Sequence, residues 1–410
     1  MRIIRERCLG LDLHKKQITA HLRVHRGSQL EPERTDRRFG TMPGDLAELR
    51  QWVVEQQVSD VVMESTGVYW MHVYELLEDV TTPAVVNASH VKKVPGRKTD
   101  VTDAQWLSDL HAHGLVRLSF VPPKAIRELR SLARYRTKLV AMRTAAQNRT
   151  IKLIETAGLK LSSVASDSFG KTGRAILDAL VEGPISQERI AGLARAALRK
   201  KVPQLHAAVS APLTERQRDL LDMHLRIYDQ LDAQIAEAEL KLGKLTEPLR
   251  DKIRLLDQIP GINDLAAITV LAETGTDMSV YRNEHHLTSL AGLAPGNSIS
   301  AGKRRRVPMP KGNRYLKRIC VQIAWAASRK NDSFHSSRFR RLTYRIGRNK
   351  AIVATARQLL IVIYRMLLTG EHYKDLGAAF YDSQNKERAV RKHVQRLAKL
   401  GFVVKLEPAS

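Results

Sequence analysis

Cysteine is almost missing from this 410-residue chain: Cys8 and Cys320 are the only two, and they lie far apart. That excludes a disulfide framework and a cysteine-based zinc site, and it points to a reducing compartment. A secretory leader is not expected, because the opening "MRIIRERCLG" lacks an apolar core. A membrane span is not expected either. The most apolar stretch, "AIVATARQLLIVIYRMLL", is interrupted by Arg357 and Arg365. Internal repeats, low-complexity tracts and a helix-turn-helix or zinc-finger pattern are also missing. The expected setting is the cytoplasm.

Acids are scarce as well. Lys and Arg number 68 against 42 Asp and Glu, which leaves a net charge of +26 and a pI near 10.2. Such an excess repels itself, and a polyanion is the usual partner that justifies it. The apolar fraction of 43% is enough for real cores, and the length allows two or three domains.

The first part of the chain alternates short apolar runs with turns. "CLGLDLH" (8–14), "ITAHLRV" (18–24) and a run near "RRFGTM" predict three strands. A helix over 45–57, a strand over 60–65, a helix over 68–80, a strand over 83–89 and a helix over 102–114 follow. A meander that passes into alternating helix and strand predicts an α/β sheet domain over 1–122. A basic, helical region over 123–248 comes next. In it Arg127, Arg130, Arg134 and Lys138 recur at i+3 and i+4 as one positive stripe, read as a phosphate-contacting face because acids are scarce nearby in sequence. Residues 160–212 give little signal. Leu221, Tyr228, Leu231, Ile235, Ala238, Leu242 and Leu245 then keep heptad spacing, interrupted by His224. This predicts a coiled coil, with assembly between protomers favoured over an antiparallel hairpin within one chain.

A mostly helical domain is expected over 249–372. "LLDQIPGINDLAAITVLAETG" reads as helix, tight turn and helix, similar to a helix-hairpin-helix element whose turn, around Gly261, offers backbone N–H groups to a phosphate. A loop-rich stretch with Lys303, Arg304, Arg305, Arg306, Lys311 and Arg314 follows, and then long basic helices. The tail over 373–410 predicts a charged helix and a short strand. Overall the fold class is multidomain, α/β followed by α.

Four carboxylates stand out in the first domain. Asp12 lies within a strand, Glu64 ends another, and Asp100 and Asp103 open a helix behind Lys92, Lys93, Arg97 and Lys98. A strand acid, a strand-end acid and an i,i+3 pair at a helix start can converge at one end of a sheet. Oxygen-only ligands suit Mg²⁺ or Mn²⁺, and two such ions would serve phosphoryl transfer. Taken singly, Glu64 reads equally as a cap for the following helix, and Asp103 as a solvent-facing acid.

The order Asp12, Glu64, Asp100, Asp103 resembles the acidic tetrad of an RNase H-like domain of the RuvC type. Together with "MESTGVYW", "IPGI", "LAGLAP" and "KGNRYLKR", it resembles the IS110 family of transposases, whose relatives include pilin-gene invertases. The resemblance spans most of residues 8–370 and weakens in 160–212 and beyond 375. It implies a nucleophilic serine a few residues after the Gly-Leu-x-Pro motif. Here that points to Ser300, five residues past Pro295, with Ser298 and Ser289 as competitors. Ala301 stands where the family more often has glycine. The resemblance further implies a composite site that joins the metal-binding tetrad to a covalent phosphoserine. It also implies double-stranded donor and target DNA, a structured noncoding guide RNA, and a homo-oligomer. The rival readings are an invertase of the same family, a metal-dependent junction nuclease without serine chemistry, and a nucleic-acid-binding protein with a degenerate tetrad.

Overall fold

The computed structural model describes residues 3–26, 31–64, 67–87, 91, 102–296, 298–300, 303–305, 309–380 and 386–406. They fall into two compact units, 1–124 and 125–410.

The first unit is built on a six-stranded mixed sheet. Its strands are β1 (Arg7–Leu13), β2 (Ile18–Val24), β3 (Glu33–Phe39), β4 (Asp60–Glu64), β5 (Thr82–Val86) and β6 (Leu118–Ser119), in the order β3-β2-β1-β4-β5-β6. β1, β4 and β5 run parallel, while β2, β3 and β6 pair antiparallel. Side chains alternate between the two faces of a strand, so β1 serves two cores at once. Leu9, Leu11 and Leu13 join Leu49, Trp52, Val53, Val73 and Leu77 of α1 (Pro43–Glu55) and α2 (Tyr69–Leu77). Cys8 faces the other way, with Val62, Val86, Leu107 and Leu110. The last two belong to α3 (Asp103–Ala112). The expected strands and helices of this region are all present, with ends shifted by a few residues. The two-residue β6 lacks any alternation that could have announced it.

In the second unit two long helices, α4 (Lys124–Thr156) and α9 (Glu215–Leu245), pair antiparallel. Leu139 and Ala146 pack against Leu231, Ile235 and Ala238, and Arg136 and Arg143 bond Glu239 and Asp232. The heptad seam is therefore consumed within the chain. This corrects the expectation that it joins protomers: the long helix that the seam needed lies earlier in the same chain.

Residues 160–212, nearly silent in sequence, form short helices: α5 (Leu161–Val164), α6 (Lys171–Glu182), α7 (Gln187–Leu193) and α8 (Val202–Val209). They cap the far end of the pair around Leu159, Ile176, Leu180, Ile190 and Leu205, with Leu221 and Leu225 of α9. Each is too short to show a helical period clearly.

The chain continues through α10 (Arg250–Asp257), α11 (Asp264–Thr274) and α12 (Glu284–Leu290). A two-stranded hairpin of β7 (Ser298–Ser300) and β8 (Lys303–Arg305) follows. The helices α13 (Arg314–Arg329), α14 (Phe334–Ile346) and α15 (Arg348–Thr369) complete this part, and α16 (Lys386–Lys399) lies in the tail. By length and composition α15 could cross a membrane, yet half of its apolar window is buried against neighbouring helices. The two arginines that interrupt it meet α12, with Arg365 donating to Glu284 (3.1 Å) and Arg357 lying 3.4 Å from His285. The short strand expected in the tail does not form: residues 402–406 belong to no sheet.

Candidate active site

The acids of the first unit are placed by strand register. In the parallel pairing of β1 with β4, Gly10 stands opposite Val62 and Leu11 opposite Met63. Continuing that register sets Asp12 beside Glu64, across a strand spacing of about 4.8 Å. Asp12 shares its face of β1 with Gly10 and Cys8, the face that α3 covers. The helix runs against the strand: Ile4 and Arg5 donate to Ala112 O at its end, while Gly10 lies under Ala104 at its start. A Cβ on Gly10 would sit 2.0 Å from Ala104 O and 2.8 Å from Ser108 N, so only glycine lets α3 rest this close. The start of α3, with Asp103 as its first residue, is thereby directed toward the Asp12 end of the strand.

Asp103 is exposed, in keeping with a solvent-facing acid, whereas Glu64 is not the cap of the helix that follows it. The cap of α3 is Thr102, whose hydroxyl accepts from Gln105 N at 3.2 Å. The cap position of α2 is Val68, well past Glu64. Asp12 and Glu64 thus stand at the carboxyl ends of two neighbouring parallel strands, where open α/β sheets bind ligands, and Asp103 begins the helix directed to that end. Their chemistry suits a hard divalent cation. The Asp12 carboxylate meets His14 Nε2 at 3.1 Å. Among the described residues no three His, Cys, Asp or Glu side chains are close enough to hold a metal ion. Asp100 lies outside the described residues, as do Lys92, Lys93, Arg97 and Lys98. Sequence reasoning passed over His14. The signal was its i+2 position, which returns it to the Asp12 face.

In the second unit, Ser300 ends β7 and pairs with Lys303 at the start of β8, while Ser298 pairs with Arg305 and Ile299 with Arg304. Arg306 lies outside the described residues. The root of the hairpin is closed by two glycines. A Cβ on Gly312 would fall 2.2 Å from Gly292 N, and one on Gly292 would fall 2.8 Å from Pro310 O. Asn313 N donates to Leu290 O at 2.7 Å, and the Asn313 side chain caps α13 by accepting from Tyr315 N and Leu316 N. The "LAGLAP" and "KGNRYLKR" words are therefore the two sides of one junction.

That junction rests on a buried acid, Glu273, which is 1% exposed at the end of α11. Arg134 donates to both of its oxygens (2.7 and 2.8 Å), and Asn313 Nδ2 donates at 2.6 Å. Arg130 donates to Ala272 O and Glu273 O. These bonds push the Arg134 guanidinium pKa up, whereas burial pulls that of Arg130 down. The basic stripe of α4 is thus divided. Arg130 and Arg134 are structural partners of Glu273, an acid distant in sequence that the fold brings in. Arg127 is half-buried, Lys138 is exposed, and Lys311 and Arg314 are exposed near the junction. Gly261, in the turn expected to offer backbone N–H groups to a phosphate, has its Cβ position against α13, 2.8 Å from Ile323 O and Ala327 N. Its positive φ (+89°) and that close approach are what glycine serves there.

Residues 9–158 match a DEDD transposase model of the IS110 type, described as "Transposase". Residues 253–338 match one described as "Transposase IS116/IS110/IS902 family". The chain is 27% identical over 333 residues to the transposase for insertion sequence element IS1111A of Coxiella burnetii, covering 78% of this chain and 81% of the relative. It is 27% identical over 327 residues to a probable family 20 transposase of Pseudomonas aeruginosa, covering 78% and 84%. It is 26% identical over 289 residues to an uncharacterized 42 kDa protein of insertion element IS900 from Mycobacterium paratuberculosis, covering 66% and 71%.

Proposed function

Because the chain belongs to the IS110 family of insertion-sequence transposases, we propose that it cuts and rejoins DNA strands by serine transesterification supported by the acids of its first unit. The observation that supports this reading is the parallel β1–β4 register, which continued by one residue sets Asp12 beside Glu64, together with the close seat of α3 on Gly10. Asp100 completes the set in sequence.

Ser300 is the nucleophile in this account. Its Oγ attacks a DNA phosphorus, the P–Oγ bond forms, and the bond from phosphorus to the departing deoxyribose oxygen breaks. The serine gives up its proton and the departing oxygen takes one up. One phosphodiester replaces another, so attack by a hydroxyl of a second strand reverses the link and joins new partners. Lys303, Arg304, Arg305 and Arg306 supply the positive charge that such a phosphorane needs. Mg²⁺ or Mn²⁺, held by Asp12, Glu64, Asp100 and Asp103, would stabilise charge on the phosphoryl oxygens.

The charge of +26 supports a nucleic-acid partner held mainly through its backbone. We assign reading of the bases to a structured noncoding RNA that pairs with donor and target DNA, with several protomers acting together. Co-purification of a specific RNA with the protein, from cells expressing the flanking DNA, tests that assignment. For the acids, Asp12→Asn, Glu64→Gln and Asp103→Asn should each lower recombination of a plasmid carrying the element's ends by about a hundredfold or more. Unchanged recombination in all three would remove the reading.

A further inference from the structure

Beside the hairpin root, α4 and the start of α13 line an open cleft of about 790 Å³. This lies within the range of built ligand sites, roughly 300–1,000 Å³. Ser131, Tyr135 and Lys138 line one wall, Arg314 and Tyr315 the other, and Leu290 and Asn313 are also among the lining residues. None of the lining residues is acidic. The nearby Glu273 carboxylate is already taken by Arg134 and Asn313. Lys138 and Arg314 therefore face the cleft without a carboxylate among the residues around it, a surplus that suits phosphate.

The aromatic groups specify the ligand further. Tyr315 is fixed in place, with the Arg134 guanidinium 4.7 Å and the Arg314 guanidinium 5.0 Å from its ring centre. Tyr135 is 51% exposed, a large ring left open on a helix otherwise packed by its seam. A duplex hides its base faces by stacking them on one another. A single strand can lay a base on an open ring while cations follow its phosphates.

We infer that this cleft holds a single nucleic-acid strand, with one base stacked on Tyr135 and its phosphates against Lys138 and Arg314. The strand passes the Leu290–Asn313 junction and so lies at the root of the Ser298–Arg305 hairpin. The inference rests on the proposed strand-transfer function and adds to it a grip on unpaired DNA or RNA.

The test uses the full-length protein and fluorescence anisotropy with three labelled probes: a DNA single strand, an RNA single strand of the same sequence, and the DNA duplex. Tyr135→Ala should weaken binding of at least one single strand by about tenfold. Binding of the duplex should change less than threefold, and Tyr135→Phe should bind as wild type. The strand affected identifies the source. The double variant Lys138→Ala/Arg314→Ala should reduce the salt slope for that strand by about 1.4, the share of two phosphates. Equal losses on duplex and single strands, or no loss on either single strand, would overturn the inference. Trapping of covalent protein–DNA adducts, run in parallel, separates the two claims. Adduct formation by wild type together with unchanged single-strand binding by the variants discards only the cleft. Selective loss of single-strand binding with no adduct in wild type keeps the cleft and discards the serine mechanism.

Discussion

His14 meets Asp12 at 3.1 Å, and Thr102 rather than Asp103 caps α3; these two contacts define the acid site better than any property of the acids alone. What was legible of the acids is their place in the elements: Asp12 in a strand, Glu64 at a strand end and Asp103 at a helix start. Glu273 was not legible. It reads as one more acid in a helix, and its role exists only because Arg134 and Asn313 arrive from distant parts of the chain. His335 was equally hidden. It is fully buried, neither ring nitrogen has a hydrogen-bond partner among the described residues, and it stacks on Tyr373. Burial lowers its pKa to about 4, despite Asp375 nearby, and burial likewise lowers that of His111 to about 4. A histidine depressed in the fold binds its proton more readily when unfolded. Its contribution is therefore complete above about pH 6.5 and is lost as pH falls toward 4. Each histidine accounts for at most about 3 kcal/mol. Urea unfolding of wild type should show stability falling over that window, and His335→Leu should flatten roughly half of the fall. An unchanged pH dependence in the variant would show that His335 titrates normally in the fold.

At the scale of elements, three glycines do what no pattern of apolar residues could announce. Gly10 lets α3 lie on β1, while Gly292 and Gly312 let the two sides of the hairpin root touch. Gly292 and Gly312 sit in words that were recognised as family-like, but the reason for each of the three is a backbone from elsewhere in the fold. Gly10→Ala should destabilise the protein by about 1–3 kcal/mol and abolish recombination, since α3 carries Asp103. Gly312→Ala should lower recombination at least as strongly while thermal melting changes less, because the second unit keeps its helical cores. If either variant recombines at the wild-type rate, the close approaches are not what holds these elements. The α4–α9 pair teaches a different lesson. Heptad spacing showed that the seam is apolar, but periodicity alone carries no information about which helix covers it. Leu139 and Ala146 supply that answer from nearly a hundred residues earlier.

For the molecule as a whole, the seam makes a clear prediction about assembly. Ile235→Asp places a charge in a core within one chain, so it should unfold the helical pair, with a loss of about 3 kcal/mol or more. If instead the variant yields a well-folded monomer from a wild-type oligomer by light scattering, the seam joins protomers after all. The division into an α/β unit and a helical remainder was readable from the switch in period near residue 122. Residues 160–212 were not, because helices of four to twelve residues barely complete a period. The charge of +26 belongs to this scale too: it foretells a polyanion but not which basic residues meet it. Arg130 and Arg134 are engaged inside the fold while Lys138 and Arg314 line a cleft.

The central claim is that Ser300 forms the bond to DNA and that the acids of the first unit make it reactive. Its most direct measurement is denaturing recovery of protein–DNA adducts from a reaction with nicked target, followed by peptide mass spectrometry of the linked residue. The account predicts a phosphodiester on Ser300, lost in Ser300→Ala and in Asp12→Asn. Normal strand joining by Ser300→Ala, with no protein left on the DNA, would contradict it.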